Sequence, residues 1–556
     1  MLKLTIMAFC ALTLTLGLSL PASALNGSGT EASPYLVGSG EELDEALIAV
    51  AEDFRQNDEG QNVSDMHHIS LTADIDAITS ATYGAEDDDH PVRVTIEGNG
   101  YAISGTLPDS TPTHTGGARY TGLRFANRTP FTEAGRGNHI VLKNLTVRGL
   151  YNAETHGGGA LAIFGGKLEV EGCVFEGNAA FGTTRGGGAI LLQHRASLLS
   201  VKNSTFVGNT SIAPGGAIDT SGDQDNAEIT GENAVIENST FYGNKSTRED
   251  LTTGGGGAIS YSRALGRMTN CTIVGNDTGN GKGGGVYARW NISGNPSGLG
   301  TKSDIKLFNS IVAGNGSYSY TDVDLSNDNP ASCDVTGAWN LIGTQGAAVK
   351  YNAFSNTPID VDVSTFLAPG APAVNAQGTP TILLLGTPTS PALNKVADAP
   401  EKDQRGLSRA GLADIGAFEL QVSGAGSAAN PFSVKNGVEL DDALNAVGED
   451  FHKNAEAQNV SDMRYISLTA DIDAITSATY GAEDDDHPVR VTIEGNGYAI
   501  SGTLPDSAPT HTGGARYTGL RFANRTPFTE AGRGNHIVLK NLTVRGLYNA
   551  ETHGGG

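Results

Sequence analysis

The sequence predicts an all-β solenoid, a right-handed parallel β-helix with an N-terminal capping helix, and three observations lead there. Glycine makes up 75 of 556 residues, without the every-third spacing of collagen. Two short motifs recur at a loosely constant interval. The segments between them alternate apolar and polar residues, as in Leu168-Glu169-Val170-Glu171.

The first motif is a glycine run opening an apolar strand: Gly157-Gly158-Gly159-Ala160-Leu161, Gly186-Gly187-Gly188-Ala189-Ile190, Gly215-Gly216-Ala217-Ile218, Gly255-Gly256-Gly257-Ala258-Ile259 and Gly283-Gly284-Gly285-Val286-Tyr287. The second is an apolar residue before a Gly-Asn turn, led by Phe175, Phe206, Phe241, Ile273 and Ile311 at steps of 31, 35, 32 and 38. Constant strands with elastic connections describe stacked coils. A propeller is the nearest competitor, but four strands per blade do not fit the shortest steps. No 3.6-residue period runs through the array, which excludes helical repeats.

Coils stacked about 4.8 Å apart place equivalent residues over one another. Phe175, Phe206 and Phe241 are then expected in one interior row, continued by Ile273 and Ile311. Asn178, Asn209, Asn244 and Asn276, with Asn315, are expected to form an amide ladder. A second asparagine row is expected from Asn144, Asn203, Asn238, Asn270 and Asn309. Leu43, Ala46, Leu47, Val50 and Phe54 lie on one helical face between Glu41 and Phe54, a lid for the first coil.

A larger repeat has an offset of 397: residues 69–159 match 466–556 except at Thr111 against Ala508. The expected organisation is a signal peptide at 1–24, a capped β-helix at 25–320, a C-terminal module at 321–421, and the start of a truncated second unit at 422–556. Lys3, the apolar run Leu4–Leu20 and the small residues Pro21-Ala22-Ser23-Ala24 form the export signal, with cleavage after Ala24. An uncleaved anchor is the plainer alternative. No later segment is apolar for long enough to span a membrane as a helix. Cleavage leaves Cys173, Cys271 and Cys333, an odd number, with the first two on equivalent positions of separate coils.

The net charge of −25 disfavours nucleic acid as a partner. Glu86, Asp87, Asp88 and Asp89 gather four carboxylates in one loop, the donor type Ca²⁺ prefers, although a solvated acidic loop needs no ion. Asp219, Asp223, Asp225, Asp322 and Asp324, with Arg195, Arg248 or Arg263 as base, are the candidates for acidic-polysaccharide cleavage, but no spacing joins acids to a base. Asp403, Arg405, Asp414 and Glu419 read as a structural ion-pair set in the C-terminal module. Catalytic residues are otherwise unassigned.

The paired Gly-Gly-Ala-Ile and Phe-x-x-Asn motifs resemble those of polymorphic outer-membrane proteins of bacteria. Asn309 to Asn315, Asn340-Leu341-Ile342-Gly343, Ser390-Pro391-Ala392-Leu393, Asp403-Gln404-Arg405-Gly406 and Asp414 to Glu419 occur in the order of the choice-of-anchor Q family, which the series resembles. That resemblance implies an exported bacterial β-helix protein, secreted or held at the cell surface, and assigns no reaction. The expected function is binding or adhesion to an extracellular glycan or cell-surface ligand through loops such as Ser246–Thr253 and Trp290–Lys302. A polysaccharide lyase or hydrolase working in a groove along the stack is the rival.

Overall fold

The computed structural model describes residues 25–549 except 57–65, 77–81, 84–90, 109–121, 127–136, 155, 194–196, 222–231, 248–254, 263, 280, 290–302, 317–324, 328–334, 344–352, 369, 374–377, 385–389, 410–411, 422–423, 425, 438, 445–446, 448–462, 474–477, 481–488, 503–516, 519 and 523–534. Successive coils of the first unit build three long parallel sheets, the central coils giving one strand to each. The first sheet has 11 strands, among them His139–Lys143, Lys167–Glu171, Leu198–Lys202 and Ala234–Glu237. The second has nine, including Val174–Glu176, Thr205–Val207 and Thr240–Tyr242. The third has eight, including Ile190–Gln193, Ile218–Ser221, Ile259–Ser262 and Val286–Arg289. A short four-stranded sheet bridges the second and third. The protein is a parallel β-helix.

The turns explain why this sequence coils. From His139–Lys143 onward the first sheet passes to the second through two residues in every coil, and the leading one is left-handed. Asn144, Asn203, Asn238, Asn270 and Asn309 sit there with φ between 46° and 52°. Asparagine tolerates that region better than other residues with a Cβ. The second asparagine row is therefore a set of corner residues rather than a ladder like the first; its one side-chain link runs from Asn309 to Asn270 at 3.2 Å. The corner's second position forms its own ladder. Cys173 N donates to Ser204 Oγ (3.1 Å), Ser204 N to Ser239 Oγ (3.2 Å) and Cys271 N to Ser310 Oγ (3.0 Å).

The glycine runs are required by backbone approach. A Cβ on Gly188 would lie 2.1 Å from Gly216 O of the next coil, and Gly187 has φ +78°. Inside the coil, Phe175 and Phe206 stack with centroids 4.8 Å apart and Phe206 and Phe241 with centroids 4.7 Å apart, both tilted by only 3°. All three rings are fully buried. Where Tyr261 enters the interior, Gly266 makes room for it, because a Cβ there would come within 2.8 Å of the ring.

Helix α1, Gly40–Gln56, starts at Ser39, whose Oγ accepts from Glu42 N at 3.2 Å. Its face of Leu43, Ala46, Leu47 and Val50 is fully buried on the first coil. Tyr83 OH donates to Asp44 and fixes the lid to that coil.

The sequence reading ends the β-helix near 320, but its strands continue through Val335–Ala338, Leu341–Ile342 and Ala353–Ser355. The chain then folds back along the outer face of the second sheet. Gln404 Nε2 donates to Thr205 Oγ1 at 2.8 Å, Thr240 Oγ1 donates to Gln404 Oε1 at 2.6 Å, and Ala417 N donates to Thr272 Oγ1 at 3.0 Å. The corner amides join in: Asn238 Nδ2 donates to Lys402 O at 2.7 Å and Asn309 Nδ2 to Asp398 O at 2.9 Å. The apolar side of this segment (Phe366, Leu384, Ile415 and Phe418) belongs to the same core as Phe432, Leu440 and Leu444 of the second unit.

Candidate functional site

Strand alternation sends one set of side chains of the third sheet inward and the other outward. The inward set is apolar: Ile190, Ile218, Ile259 and Val286 stand in register. The outward set includes Gln193, Asp219, Ser260, Ser262 and Tyr287, and all five are buried. Polar groups on the outside of a sheet and nearly closed to solvent mark this face as different from that of the first sheet.

The connections sharpen the difference. Those leaving the third sheet run 165–166, 194–197, 222–233, 263–264 and 290–303, whereas the asparagine corner holds a constant length. Length variation in the solenoid is concentrated on the borders of this one sheet, where loops are free to vary without breaking the stack.

Asp219 has a structural task there. Gly186 N of the preceding coil donates to its Oδ2 at 3.1 Å, so the carboxylate closes a glycine-run turn. Tyr287 sets its ring against Gly255 in the same relation two coils further on. Gln193 Oε1, Ser260 Oγ and Ser262 Oγ have no hydrogen-bond partner. A buried polar atom left so costs about 1–3 kcal/mol. Towards the first coils the same face carries Arg124, which pairs with Glu154 and lies 4.6 Å over the Phe164 ring.

The remaining candidates divide as follows. Glu86, Asp87, Asp88 and Asp89 lie outside the described residues, as do Asp223, Asp225, Asp322, Asp324, Arg195, Arg248, Arg263, Cys333, the export signal, Trp290–Lys302 and most of Ser246–Thr253. Among the described residues no group of three or more His, Cys, Asp or Glu is placed to hold a metal ion. The ladder residues Asn178, Asn209, Asn244, Asn276 and Asn315 are joined Nδ2 to Oδ1 at 2.9, 2.9, 2.8 and 2.9 Å, inside the coil and out of reach of a ligand. Cys173 and Cys271 are buried free thiols pushed up to about 12 by burial, hence unreactive.

Asp403, Arg405, Asp414 and Glu419 do come together, with two partners the sequence reading missed. Arg405 Nη2 meets Asp403 Oδ2 at 2.8 Å, and its Nη1 meets Asp442 Oδ1 of the second unit at 2.9 Å. Arg409 Nη1 meets Glu419 Oε2 at 2.8 Å. Asp442 occupies the position of Glu45 in the first copy, and that change between the copies was the available signal.

A sequence profile of the Chlamydia polymorphic membrane protein repeat matches residues 238–262, less than one coil. That match suggests a cell-surface or outer-membrane protein. No curated protein matches the chain. Among solved structures, a mutant of the PL6 family alginate lyase AlyGC is similar at 11% identity with a TM-score of 0.21, covering 92% of this chain and 79% of its own. Among the described residues no helix is long and apolar enough to cross a membrane.

Proposed function

We propose that the protein is exported, stands at the bacterial surface or is released from it, and binds a hydroxyl-rich extracellular ligand, a glycan of the surroundings or of another cell, against its third sheet. The observation carrying this reading is the concentration of length variation in the connections that border the third sheet, whose outward face carries Gln193, Ser260 and Ser262. Tandem units add avidity without new contacts. Membership of the choice-of-anchor Q type, with sorting to the surface, is part of the same proposal and rests on the motif order from Asn309 to Glu419.

Binding is favoured over cleavage by Asp219, the one candidate carboxylate on this face that the structure describes, because it is engaged by Gly186 N. A panel of immobilised glycans, with the eluate assayed for new reducing or unsaturated ends, tests the reading. Retention without turnover, weakened several-fold by shortening the 290–303 connection, is expected. New chain ends establish the lyase or hydrolase instead, and no retention on any surface glycan ends the binding reading.

A further inference from the structure

The first and second units meet through a cluster of six charged side chains. Arg405 is shared between two carboxylates: its Nε donates to Asp403 Oδ2 at 2.9 Å, and its Nη1 to Asp442 Oδ1 and Oδ2 at 2.9 and 3.2 Å. Asp442 lies on the helical stretch of the second unit that also carries Leu440, Ala443 and Leu444. Its Oδ2 further accepts from Gln421 N at 3.4 Å. Beside this joint, Arg409 binds Glu419, whose Oε2 also accepts from Asp414 N at 2.8 Å. Asp414 in turn accepts from Asn394 N at 2.7 Å and Leu420 N at 2.8 Å. The two halves are connected, because Glu419 N donates to Asp403 Oδ2 and Arg405 donates to Glu419 O.

All six side chains are buried. Four carboxylates face two guanidiniums, so the fully ionised cluster carries two uncompensated negative charges away from water. An enclosed excess of like charge favours proton uptake by one or more of the acids. We propose that this joint is a proton-dependent clamp that holds the second unit against the first under acidic conditions and loosens as the proton is lost.

Asp442 is the member whose surroundings change when the units part. Burial pushes its carboxyl up to about 6, with Arg405 opposing that rise and Asp403 adding to it. The other acids on its helical stretch are Asp441 and Glu439, and Glu439 is engaged by Lys435 at 3.4 Å and by Asn436. Separation returns Asp442 to water and to the ordinary value of 3.8. The closed joint therefore binds the proton more tightly than the open one. Its advantage is full below about pH 3.8 and is lost as pH rises through about 6. Asp414 is raised in the same direction by burial and by Glu419, with Arg409 opposing, but it titrates within the segment folded onto the first unit and does not itself cross the joint.

The test is an intramolecular distance measurement on the full chain, labelled through Glu176→Cys in the first unit and Tyr498→Cys in the second. Between pH 4 and 7 the ratio of separated to joined molecules is expected to rise about a hundredfold, the factor for a shift of about two pH units. Asp442→Asn keeps an acceptor for Arg405 but cannot ionise, so its ratio is expected to be flat over the same range. Asp442→Glu is expected to restore the pH response. A wild-type ratio that does not move with pH overturns the clamp, whether or not the variants fold. A response that survives in folded Asp442→Asn overturns it as well.

Discussion

Asn209 Nδ2 donates to Asn244 Oδ1 at 2.9 Å while Asn209 Oδ1 accepts from Asn178 Nδ2 at the same distance, so one side chain links three coils. It also donates to Phe175 O at 2.9 Å and accepts from Asn178 N at 3.1 Å. Asn209→Ala is expected to cost about 2–4 kcal/mol, because several buried partners lose their bond together. Urea melts read at the affected coils by hydrogen exchange check this, since solenoid coils open locally. A loss below about 0.5 kcal/mol, within the range of an ordinary surface change, would remove the ladder from the stabilising features.

The outer edge of the first sheet carries Glu97, Lys143, Glu171, Lys202 and Glu237 in successive register, a column of alternating charge. Lys202 Nζ and Glu237 Oε1 are 4.0 Å apart. Lys202→Glu places three carboxylates in a row. The expected destabilisation is about 0.5–2 kcal/mol, from two like-charge contacts replacing two opposite ones, and salt should diminish it. Melting temperatures of both proteins at low and high ionic strength decide the point.

Cys173 and Cys271 occupy corner rungs that Ser204, Ser239 and Ser310 fill in other coils. Like those hydroxyls, each thiol points to the carbonyl two residues earlier: Cys173 Sγ lies 3.3 Å from Glu171 O and Ser204 Oγ 2.7 Å from Lys202 O. Replacing either cysteine by serine is expected to change stability by less than about 1 kcal/mol. Neither thiol should react with a disulfide reagent until the coil unfolds, which counting the modified sites in the native protein would show.

Glu169 lies between His139, at 2.6 Å, and Lys167, at 2.7 Å. The hydrogen bond from His139 is the main cause that holds its carboxyl near 2 in the folded protein, with Lys167 adding to it and burial opposing. A depressed carboxylate stabilises the fold above its unfolded value of 4.5, and this contribution is lost as pH falls towards 2. Glu169→Gln should therefore be less stable than wild type near neutrality and converge with it as the solution is acidified through that window. Parallel curves across the whole acid range would show that His139 and Lys167 contribute nothing.

The repeat pattern by itself determined the coil, because a solenoid has one local rule: equivalent positions stack. Once Phe175, Phe206 and Phe241 are aligned, period-two alternation assigns every inward position, and the asparagine and glycine turns follow from their φ angles. The charge column on the first sheet was equally present in the letters but hidden by the expectation that like meets like.

Tertiary structure alone decided the rest. Nothing periodic announces that Gln404 docks on Thr205 and Thr240, or that Arg405 finds its second acid in another unit, because such contacts depend on shapes that meet only after both stacks exist. Apolar character gives a side chain the tendency to leave water, and only a neighbouring coil gives it somewhere to go.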